Sequence, residues 1–590
     1  MMILFGSHFL HFPPPPSFFL PMMIVALRSA LSSLSSNDSQ SLDKWNDELE
    51  RKLLLQQHDG HGGCPPPFDD EELDDTRIVA NELHLSLLKT VHNAVRDCYA
   101  SSSLLPSLFI IKPIYNDDDD VEVDKLTSEI VDNIQFINNI NSTTTTTTTT
   151  PMITSIYWKH LAILLRATGL FMRWITQTTS STSSVMLPSS LMSNIGRLKS
   201  KGMLLLYSKL LEIDILTSSS MMTNEMDIPR FASICLFRAT YGNGELTVLA
   251  RQNFVDSLDG CACLMRALSR GDQPVARLFS IVRNIHHLIS ACPESITKME
   301  RSLMTLMTES AEEEESGGNN NVTDANPNCY LTMSIVATMA WACRSEPPFS
   351  EASADDRRPE LVLEILRTMY ALEGRTNPSY ETMTQIGILL CELLRYSSAD
   401  TRLYEIKLAV VSLLLNAPTE YSTYLLANGG IEPLVDILSY QSSLVVVERT
   451  GSSNNDAAAI VPILLTLQRL VESNELVLKV VKDAVFPLNA EATFDQMVSD
   501  EMTKTAQQSE GGKVNAKNMA PLDAPKGTLR WKLIFLMTWT ESNVKRAACE
   551  LLWALCDGNA TQFVLRVGFG NAVYFLGIKG CVSLPAGVEM

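Results

Sequence analysis

The most regular part of the sequence is Glu541-Ser-Asn-Val-Lys-Arg-Ala-Ala-Cys-Glu-Leu-Leu-Trp-Ala-Leu-Cys556. Its apolar residues recur at intervals of three and four, which places them on one continuous face of a helix. Asp557-Gly558-Asn559 follows and predicts a helix end, because glycine adopts the left-handed conformation cheaply and Asn559 can cap a second helix. We therefore expect a helix, a turn and a second helix. The residues of the predicted apolar face are Val544, Ala547, Ala548, Leu551, Leu552 and Leu555.

The second helix leads into an unusual run, Gly568-Phe569-Gly570-Asn571-Ala572. Two glycines flanking an aromatic residue predict a tight turn in which the backbone passes close to a neighbour. Arg566 and Asn571 are candidates for contacting a partner. Both can instead be structural, with the asparagine capping the last helix.

This block resembles the end of the armadillo-type domain of the synembryn family. In that family, a helix rich in Ala, Glu, Leu and Cys leads to a basic residue, a Gly-aromatic-Gly-Asn-Ala turn and a short helix. The matching positions here are 547–556, Arg566, Gly568 to Ala572, and 573–576. A weaker likeness extends back to about residue 380 and includes 404–416 and 460–467.

The resemblance implies a chaperone and guanine-nucleotide exchange factor for Gα subunits of heterotrimeric G proteins. Such a protein uses no covalent catalysis, no catalytic residue and no cofactor. Its groove captures the C-terminal helix of Gα in the nucleotide-free or GDP form and loosens the GDP contacts. It must prefer the nucleotide-free conformer of Gα, because a protein that binds two conformers with equal affinity does not shift the equilibrium between them.

The resemblance also bears on the end of the chain and on the setting. The family continues beyond the glycine-rich block into an acidic segment, whereas this chain ends 18 residues after Ala572. Gα binding is thus a firmer expectation than exchange activity. We further expect a monomer in the cytoplasm, with peripheral association at the plasma membrane through its partner as a further option.

Most of the remaining chain has helical patterns separated by Gly, Pro, Asn or Ser, and from residue 252 onward most of them are 10 to 18 residues long. In the best repeat, 421–438, a helix is predicted to end at Asn428 and Gly429-Gly430 to form a turn. Pro433 then lies in the first turn of the following helix, where a missing backbone N–H costs no hydrogen bond. Repeats of ~40 residues must stack to bury their apolar faces. We therefore predict an all-α armadillo/HEAT-like solenoid with a concave groove. Its predicted helices cover 156–176, 191–217, 229–239, 252–269, 274–291, 294–309, 332–343, 358–372, 379–396, 400–416, 420–426 and 431–442.

Composition suggests three parts. Residues 1–75 form an irregular leader with proline runs, residues 76–585 form the solenoid, and 586–590 form a tail. A first ordered helix is expected at 74–99. Polar insertions, with runs of Asp, Thr, Glu or Gly, are expected as disordered loops near 115–150, 312–326 and 500–520.

The bulk properties exclude several classes of function. A net charge of −20 argues against nucleic-acid binding, which needs clustered cations. The 12 cysteines fall mostly in apolar helical runs and predict small buried residues in a reducing compartment. The sequence contains no uncharged apolar stretch of ~18 residues, the length that a membrane-spanning helix needs, so no membrane span is predicted. The apolar N-terminus can also be an organelle leader or a wrongly assigned first exon, and the chain is otherwise expected to be soluble and intracellular.

Residues with potential chemistry do not form a convincing active site. His58, His61 and Cys64 have donor spacing suited to zinc, but no fourth ligand is near and a disordered loop is the favoured interpretation. Cys261 and Cys263 diverge on a helix and favour a core role. The adjacent pair His286-His287 would point about 100° apart. No phosphate loop or nucleophile elbow occurs. We therefore expect no metal site and no enzyme.

A solenoid instead binds through Arg and Asn side chains on its inner helices, whose guanidinium and amide groups recognise backbone and carboxylate groups. The candidates are Arg238, Arg283 with Asn284, and Lys159 with Arg166. Each can also be an ordinary surface residue. The alternative function is a generic armadillo scaffold, such as an ataxin-10-like or transport-adaptor protein, and an enzyme on a solenoid scaffold is a third option.

Overall fold

The computed structural model describes residues 83, 86, 87 and 90 and the ranges 156–181, 196–212, 227–314, 329–448, 454–487 and 527–581. Positions 272, 352, 354, 398 and 399 within these ranges are not described. Within these ranges the chain forms nineteen α-helices and no strand, which confirms the all-α prediction. The leader, most of the helix expected at 74–99, the tail and the bulk of the three insertions lie outside the described residues.

The helices form two units, 1–331 and 332–590. The first unit contains seven of the described helices and the first two residues of an eighth. The seven are α1 Ile156–Ser181, α2 Lys201–Leu211, α3 Ile228–Thr240, α4 Glu245–Gln252, α5 Gly260–Ser269, α6 Val275–Ala291 and α7 Ser295–Glu314.

Helix α3 is the centre of the first unit. It packs against α1 on one side and α6 on the other, so the three helices form a row, and it also contacts α2. Helices α2, α5 and α7 form a second row. Two rows of alternate helices are the arrangement of stacked helical repeats.

Local sequence explains where α3 begins and ends. The Asp227 side chain accepts a hydrogen bond from the Arg230 N–H at 3.1 Å, and Pro229 occupies the first turn, where its missing N–H is harmless. The apolar side is buried through residues such as Phe231 and Cys235. The helix ends at Thr240, and a turn at 241–244 follows.

The single helix expected at 252–269 is wrong. A π-helical turn, Asn253–Ser257, follows α4, and Asp259 adopts a positive φ of 51° before α5 begins at Gly260. A Cβ atom at Gly260 would collide with the Phe254 ring, which is fully buried. Packing of Phe254 against glycine therefore breaks a pattern that was helical throughout.

The second unit contains the rest of α8 Tyr330–Arg344 and eleven further helices. These are α9 Arg358–Leu372, α10 Tyr380–Leu394, α11 Thr401–Asn416, α12 Tyr421–Ala427, α13 Ile431–Glu448, α14 Asn454–Ser473, α15 Glu475–Val485, α16 Leu529–Leu536, α17 Ser542–Leu555, α18 Ala560–Val567 and α19 Phe569–Ile578.

Helices α9, α11, α14 and α17 pack one against the next and form a row in this unit. The predicted glycine turn joins α12 to α13. Gly429 has a φ of +62°, and a Cβ atom at Gly430 would lie 2.7 Å from the Cys391 sulfur. Both positions therefore require glycine, one for conformation and one for space.

The C-terminal helices confirm the predicted helix–turn–helix. The apolar face of α17 is buried. Asp557 and Gly558 have φ values of 55° and 67°, and the Gly558 N–H bonds to the Trp553 carbonyl, which closes the helix end. The Asn559 side chain caps α18 by accepting from the Gln562 N–H at 3.1 Å.

The structure describes ten cysteines. Nine of the ten are buried, and Cys581 is exposed. Burial raises the pKa of Cys261, Cys343 and Cys549 to about 12, so these thiols stay protonated. The prediction that cysteines act as small core residues is therefore confirmed for the described chain.

Candidate partner-binding site

The α1–α3–α6 row brings several of the predicted binding residues together. Arg238 lies in the last turn of α3, and Arg283 and Asn284 lie in the middle of α6. Around them are three rings that were not predicted as site residues, from Phe237, Tyr241 and His287. We call Arg238, Arg283 and these three rings the arginine–aromatic cluster.

The rings of the cluster pack on one another. Phe237 and Tyr241 stack with their centroids 4.8 Å apart. The His287 ring meets Phe237 edge-on at 5.6 Å and lies tilted against Tyr241 at 5.1 Å. Such offset and edge-to-face pairs are worth about 0.5–1.5 kcal/mol each beyond their buried area. The three rings therefore form a supported platform at the end of α3.

Two guanidinium groups lie over this platform. The Arg283 Cζ atom is 4.7 Å from the Phe237 centroid, and the Arg238 Cζ atom is 5.4 Å from it. Cation–π contacts at these distances are attractive, more so when water is excluded. They hold the positive charges in place without neutralising them.

The electrostatics of the cluster favour an anion. Burial and the nearby charges of Arg173 and Arg283 lower the pKa of Arg238 to about 9. Arg238 is still charged at neutral pH, but its charge is destabilised by its surroundings. Among the described residues, neither Arg238 nor Arg283 forms an ion pair with an acidic side chain. A carboxylate brought beside Arg238 would relieve this repulsion and could accept hydrogen bonds from a guanidinium group.

His287 contributes a hydrogen bond and no charge. Its Nε2 atom lies 2.8 Å from the Thr240 carbonyl oxygen. Burial lowers the pKa of His287 to about 4, although the hydrogen bond to Thr240 opposes the change. The ring is thus neutral at pH 7, and since a carbonyl can only accept, Nε2 carries the proton.

Asn284 lies inside the helix interface. Its side chain is 1% exposed, and Nδ2 donates to the Ser233 carbonyl and hydroxyl oxygens, both at 2.9 Å, and to the Ser280 carbonyl at 3.0 Å. These bonds tie α6 to α3. Its role as a partner contact remains a prediction.

A second link between α3 and α6 lies at the other end of α3. Arg277 Nε donates to the Asp227 carboxylate at 2.9 Å, and Nη2 reaches the same oxygen at 2.9 Å. Asp227 therefore caps α3 and anchors α6 at once. Asn284 and Asp227 together fix the separation of the helices that carry Arg238 and Arg283.

The other unit-1 candidates, Lys159 and Arg166, both lie on α1. The Lys159 side chain is outside the described atoms. Arg166 is half-buried and lies two turns before Arg173 on the same face of the helix. Arg173 is the α1 residue whose charge acts on Arg238. Binding by Lys159 and Arg166 remains a prediction.

Sequence reasoning missed Arg173, Phe237, Tyr241 and His287. A signal for three of them was present, because Phe237 and Tyr241 are four residues apart, as are Arg283 and His287. Residues at that spacing share a helix face. The sequence did not show that the helix face with Phe237 and Tyr241 packs against the helix face with Arg283 and His287.

The glycine-rich block in the second unit forms the predicted tight turn at Gly568 but not at Gly570. Gly568 has a φ of +83° and both ends α18 and begins α19, so it is a one-residue turn. Gly570 is already inside α19, and a Cβ atom there would meet nothing within 4 Å. The expectation that the backbone passes close to a neighbour is wrong at Gly570.

Asn571 and Arg566 make contacts within their own unit. Asn571 Nδ2 donates to the Val567 carbonyl at 2.8 Å, which satisfies the last residue of α18. The Arg566 guanidinium lies 4.4 Å from the centre of the buried Phe486 ring. The backbone carbonyl of Arg566 accepts a hydrogen bond from Arg530 Nη2 at 2.6 Å. These contacts favour a structural role, but the expectation that Asn571 caps the last helix is wrong, because Asn571 lies inside α19 and the N-cap is Gly568. Partner binding by either residue remains a prediction.

Two negative findings apply to the described residues. They contain no group of three or more His, Cys, Asp or Glu side chains able to hold a metal ion. His58, His61 and Cys64 lie outside them. None of the described helices is long and apolar enough to cross a membrane.

Comparison with known families points to the C-terminal part of the chain. Residues 520–587 match the family described as guanine nucleotide exchange factor synembryn. This segment holds α16 to α19 and the glycine-rich block. The family resemblance predicted from the sequence is confirmed.

Curated relatives extend the similarity at lower identity. Chaperone Ric-8A of Macaca fascicularis is 23% identical over 262 residues, which are 43% of this chain and 44% of the relative. Chaperone Ric-8A of Xenopus laevis is 38% identical over 76 residues, 12% of this chain and 14% of the relative. The match thus spans less than half the length of these relatives. A solved engineered protein is similar with a TM-score of 0.37 and 13% identity over 85% of this chain and 91% of its own.

Proposed function

We propose that this chain, whose C-terminal segment is similar to the synembryn family, binds a G-protein α subunit and acts as its folding chaperone and guanine-nucleotide exchange factor. The partner contact is assigned to the first unit, where the α1–α3–α6 row carries Arg238 and Arg283. The occupant of this row is the C-terminal helix of Gα.

The observation that supports this assignment is the arginine–aromatic cluster itself. Two guanidinium groups lie over one ring, and the charge of a third arginine, Arg173, acts on Arg238. Among the described residues, neither Arg238 nor Arg283 has an acidic ion-pair partner. A structural arginine is normally paired, since burying a charge without a partner is costly. A helix that ends the chain of a partner supplies both a free carboxylate and unsatisfied carbonyl groups. Both are acceptors that guanidinium donors can bind.

The mechanism that follows is differential binding. The row takes hold of the C-terminal helix of Gα only when that helix leaves its own packing, so binding favours the conformer that has lost its GDP contacts. Exchange then needs no bond to be made or broken by this protein. A tenfold preference for the nucleotide-free conformer corresponds to about 1.4 kcal/mol, and a complete population shift requires roughly 5.5 kcal/mol.

The same proposal covers the cellular setting. The protein acts as a monomer in the cytoplasm and reaches the plasma membrane through Gα. The domain division of the proposal is a leader at 1–75, repeats at 76–585 with insertions, and a tail at 586–590.

The test compares Gα with a version that lacks its last residues, using the purified full chain and an Arg238→Ala/Arg283→Ala double variant. We expect intact Gα to bind the wild type tightly, and both the tail deletion and the double variant to weaken binding at least tenfold. Arg301→Ala, at an exposed arginine on α7 in the same unit, is the control for charge loss and should bind normally. Equal binding of intact and tail-deleted Gα would contradict the proposal.

A further inference from the structure

The arginine–aromatic cluster contains a histidine, His287, whose ring N–H is already used inside the protein. His287 is four residues after Arg283 on α6, and its ring is turned toward the end of α3, where Nε2 meets the Thr240 carbonyl at 2.8 Å. The same carbonyl accepts from Arg251 Nη1 at 3.2 Å, and Arg251 also donates to the Gly242 carbonyl at 3.1 Å. The turn that follows α3 is therefore held from two sides.

The ring of His287 supports the surface on which the arginines lie. It meets Phe237 edge-on at 5.6 Å and Tyr241 at 5.1 Å, while Phe237 and Tyr241 stack at 4.8 Å. Phe237 is almost fully buried and cannot turn away without losing these neighbours. Both guanidinium groups lie over this one ring, at 4.7 and 5.4 Å.

We infer that His287 is a positioning residue of the binding site: its ring fixes the Phe237–Tyr241 stack and thereby holds the guanidinium groups of Arg238 and Arg283 where a carboxylate of the partner can reach both. This inference rests on the proposed function. It assigns the role to the ring, and gives the hydrogen bond to Thr240 the lesser part of orienting that ring.

The chemistry of an imidazole suits this role. A lysine or arginine in place of His287 would add positive charge beside arginines that already repel one another. The arrangement keeps His287 neutral, because burial and the charges of Arg251, His286 and Arg283 all oppose its protonation. A neutral imidazole combines an aromatic edge with one N–H donor, which no other side chain does at this size.

Two variants separate the ring from the donor. His287→Phe keeps an aromatic ring and loses the donor, and the Thr240 carbonyl still has Arg251. His287→Gln keeps an N–H donor and loses the ring. The probe is a synthetic peptide of the last residues of Gα, prepared once with a free C-terminal carboxylate and once as the C-terminal amide. The measured quantity is the ratio of the two dissociation constants for each full-length protein, together with the fraction of protein able to bind.

For the wild type we expect the free carboxylate to bind about tenfold or more tightly than the amide, as a charge-assisted hydrogen bond allows. His287→Phe should keep this ratio within about twofold, and His287→Gln should lower it at least about fivefold. The inference is overturned if His287→Gln keeps the wild-type ratio of dissociation constants, whether or not its active fraction falls. It is also overturned if His287→Phe lowers that ratio as much as His287→Gln does. A wild type that binds neither peptide, or binds both equally, would instead overturn the proposed function.

Discussion

Arg283 holds its guanidinium carbon 4.7 Å from the centre of the Phe237 ring, across the interface between α6 and α3. The contact joins a residue in the middle of one helix to a residue near the end of the other. It places a positive charge on an aromatic surface, where the charge is held and remains available to a ligand. The proposed partner-binding site depends on this contact between Arg283 and Phe237.

Replacement of Arg283 by alanine should weaken binding of the Gα C-terminal peptide about 10- to 100-fold. A hydrogen bond to a charged group contributes about 1.5–3 kcal/mol, and each 1.4 kcal/mol is about tenfold. Isothermal titration calorimetry measures the change. Arg283→Lys should recover only part of the affinity, since an ammonium group lacks the planar fork. Full affinity in Arg283→Ala would remove this residue from the site.

Asn284→Ala should destabilise the first unit by about 2–3 kcal/mol. The change leaves the Ser233 carbonyl and hydroxyl oxygens without the Nδ2 donor that now lies 2.9 Å from each, inside a closed interface. Urea unfolding followed by circular dichroism gives the change. Ser290→Ala, at an exposed position near the end of the same helix, is the matched control and should change stability by less than about 0.5 kcal/mol. Equal stability of the two variants would contradict this role of Asn284.

Glu300→Gln should stabilise the protein more at pH 8 than at pH 6. Burial raises the pKa of Glu300 from 4.5 to about 7, although hydrogen bonds from the backbone N–H groups of Leu331 and Tyr330 oppose the change. The folded state thus keeps a proton that the unfolded state has already lost, so this carboxyl destabilises the fold increasingly as the pH rises toward 7 and above. Glutamine keeps an oxygen to accept from the Leu331 N–H and has no charge.

We expect the gain from Glu300→Gln to grow by about 1 kcal/mol between pH 6 and pH 8. Urea midpoints at the two values test this, and both lie above the sequence pI of about 5.0. Glu245→Gln, an exposed carboxylate on α4, should show no such growth. A gain that is the same at both pH values would show that Glu300 titrates normally.

The two glycines of the C-terminal block should respond oppositely to alanine. Gly568 has φ and ψ of +83° and 143°, a conformation that alanine adopts only with strain, so Gly568→Ala should cost about 1–3 kcal/mol. Gly570 lies in α19 with open space around it, so Gly570→Ala should be neutral or stabilising by up to about 1 kcal/mol. Thermal melts of the two variants make the comparison. Equal losses in both would mean that Gly570 too is required by its surroundings.

Much of the fold could be predicted from the sequence because it depends on local patterns. The period of apolar residues gave α9 with its observed bounds, and Gly429 and Gly558 marked helix ends through their positive φ values. The helix expected at 252–269 failed for a tertiary reason. Phe254 packs against Gly260, and nothing in the local period records that contact.

The candidate site was only partly predictable for the same reason. Arg238, Arg283 and Asn284 could be chosen as polar residues beside apolar helix positions. Whether they are exposed depends on how α3 meets α6, which buries Asn284 and leaves the guanidinium groups over Phe237. The adjacent pair His286-His287 was set aside as a catalytic site on geometry. The contribution of His287 becomes visible only when Thr240 and Phe237 are placed beside it.

The measurement that tests the central claim most directly is the affinity of the purified chain for Gα in two states, loaded with GDP and depleted of nucleotide. The account predicts at least tenfold tighter binding to the nucleotide-free state, and a faster release of GDP when the protein is added in excess. Binding that is equally tight to both states, or absent from both, would contradict it.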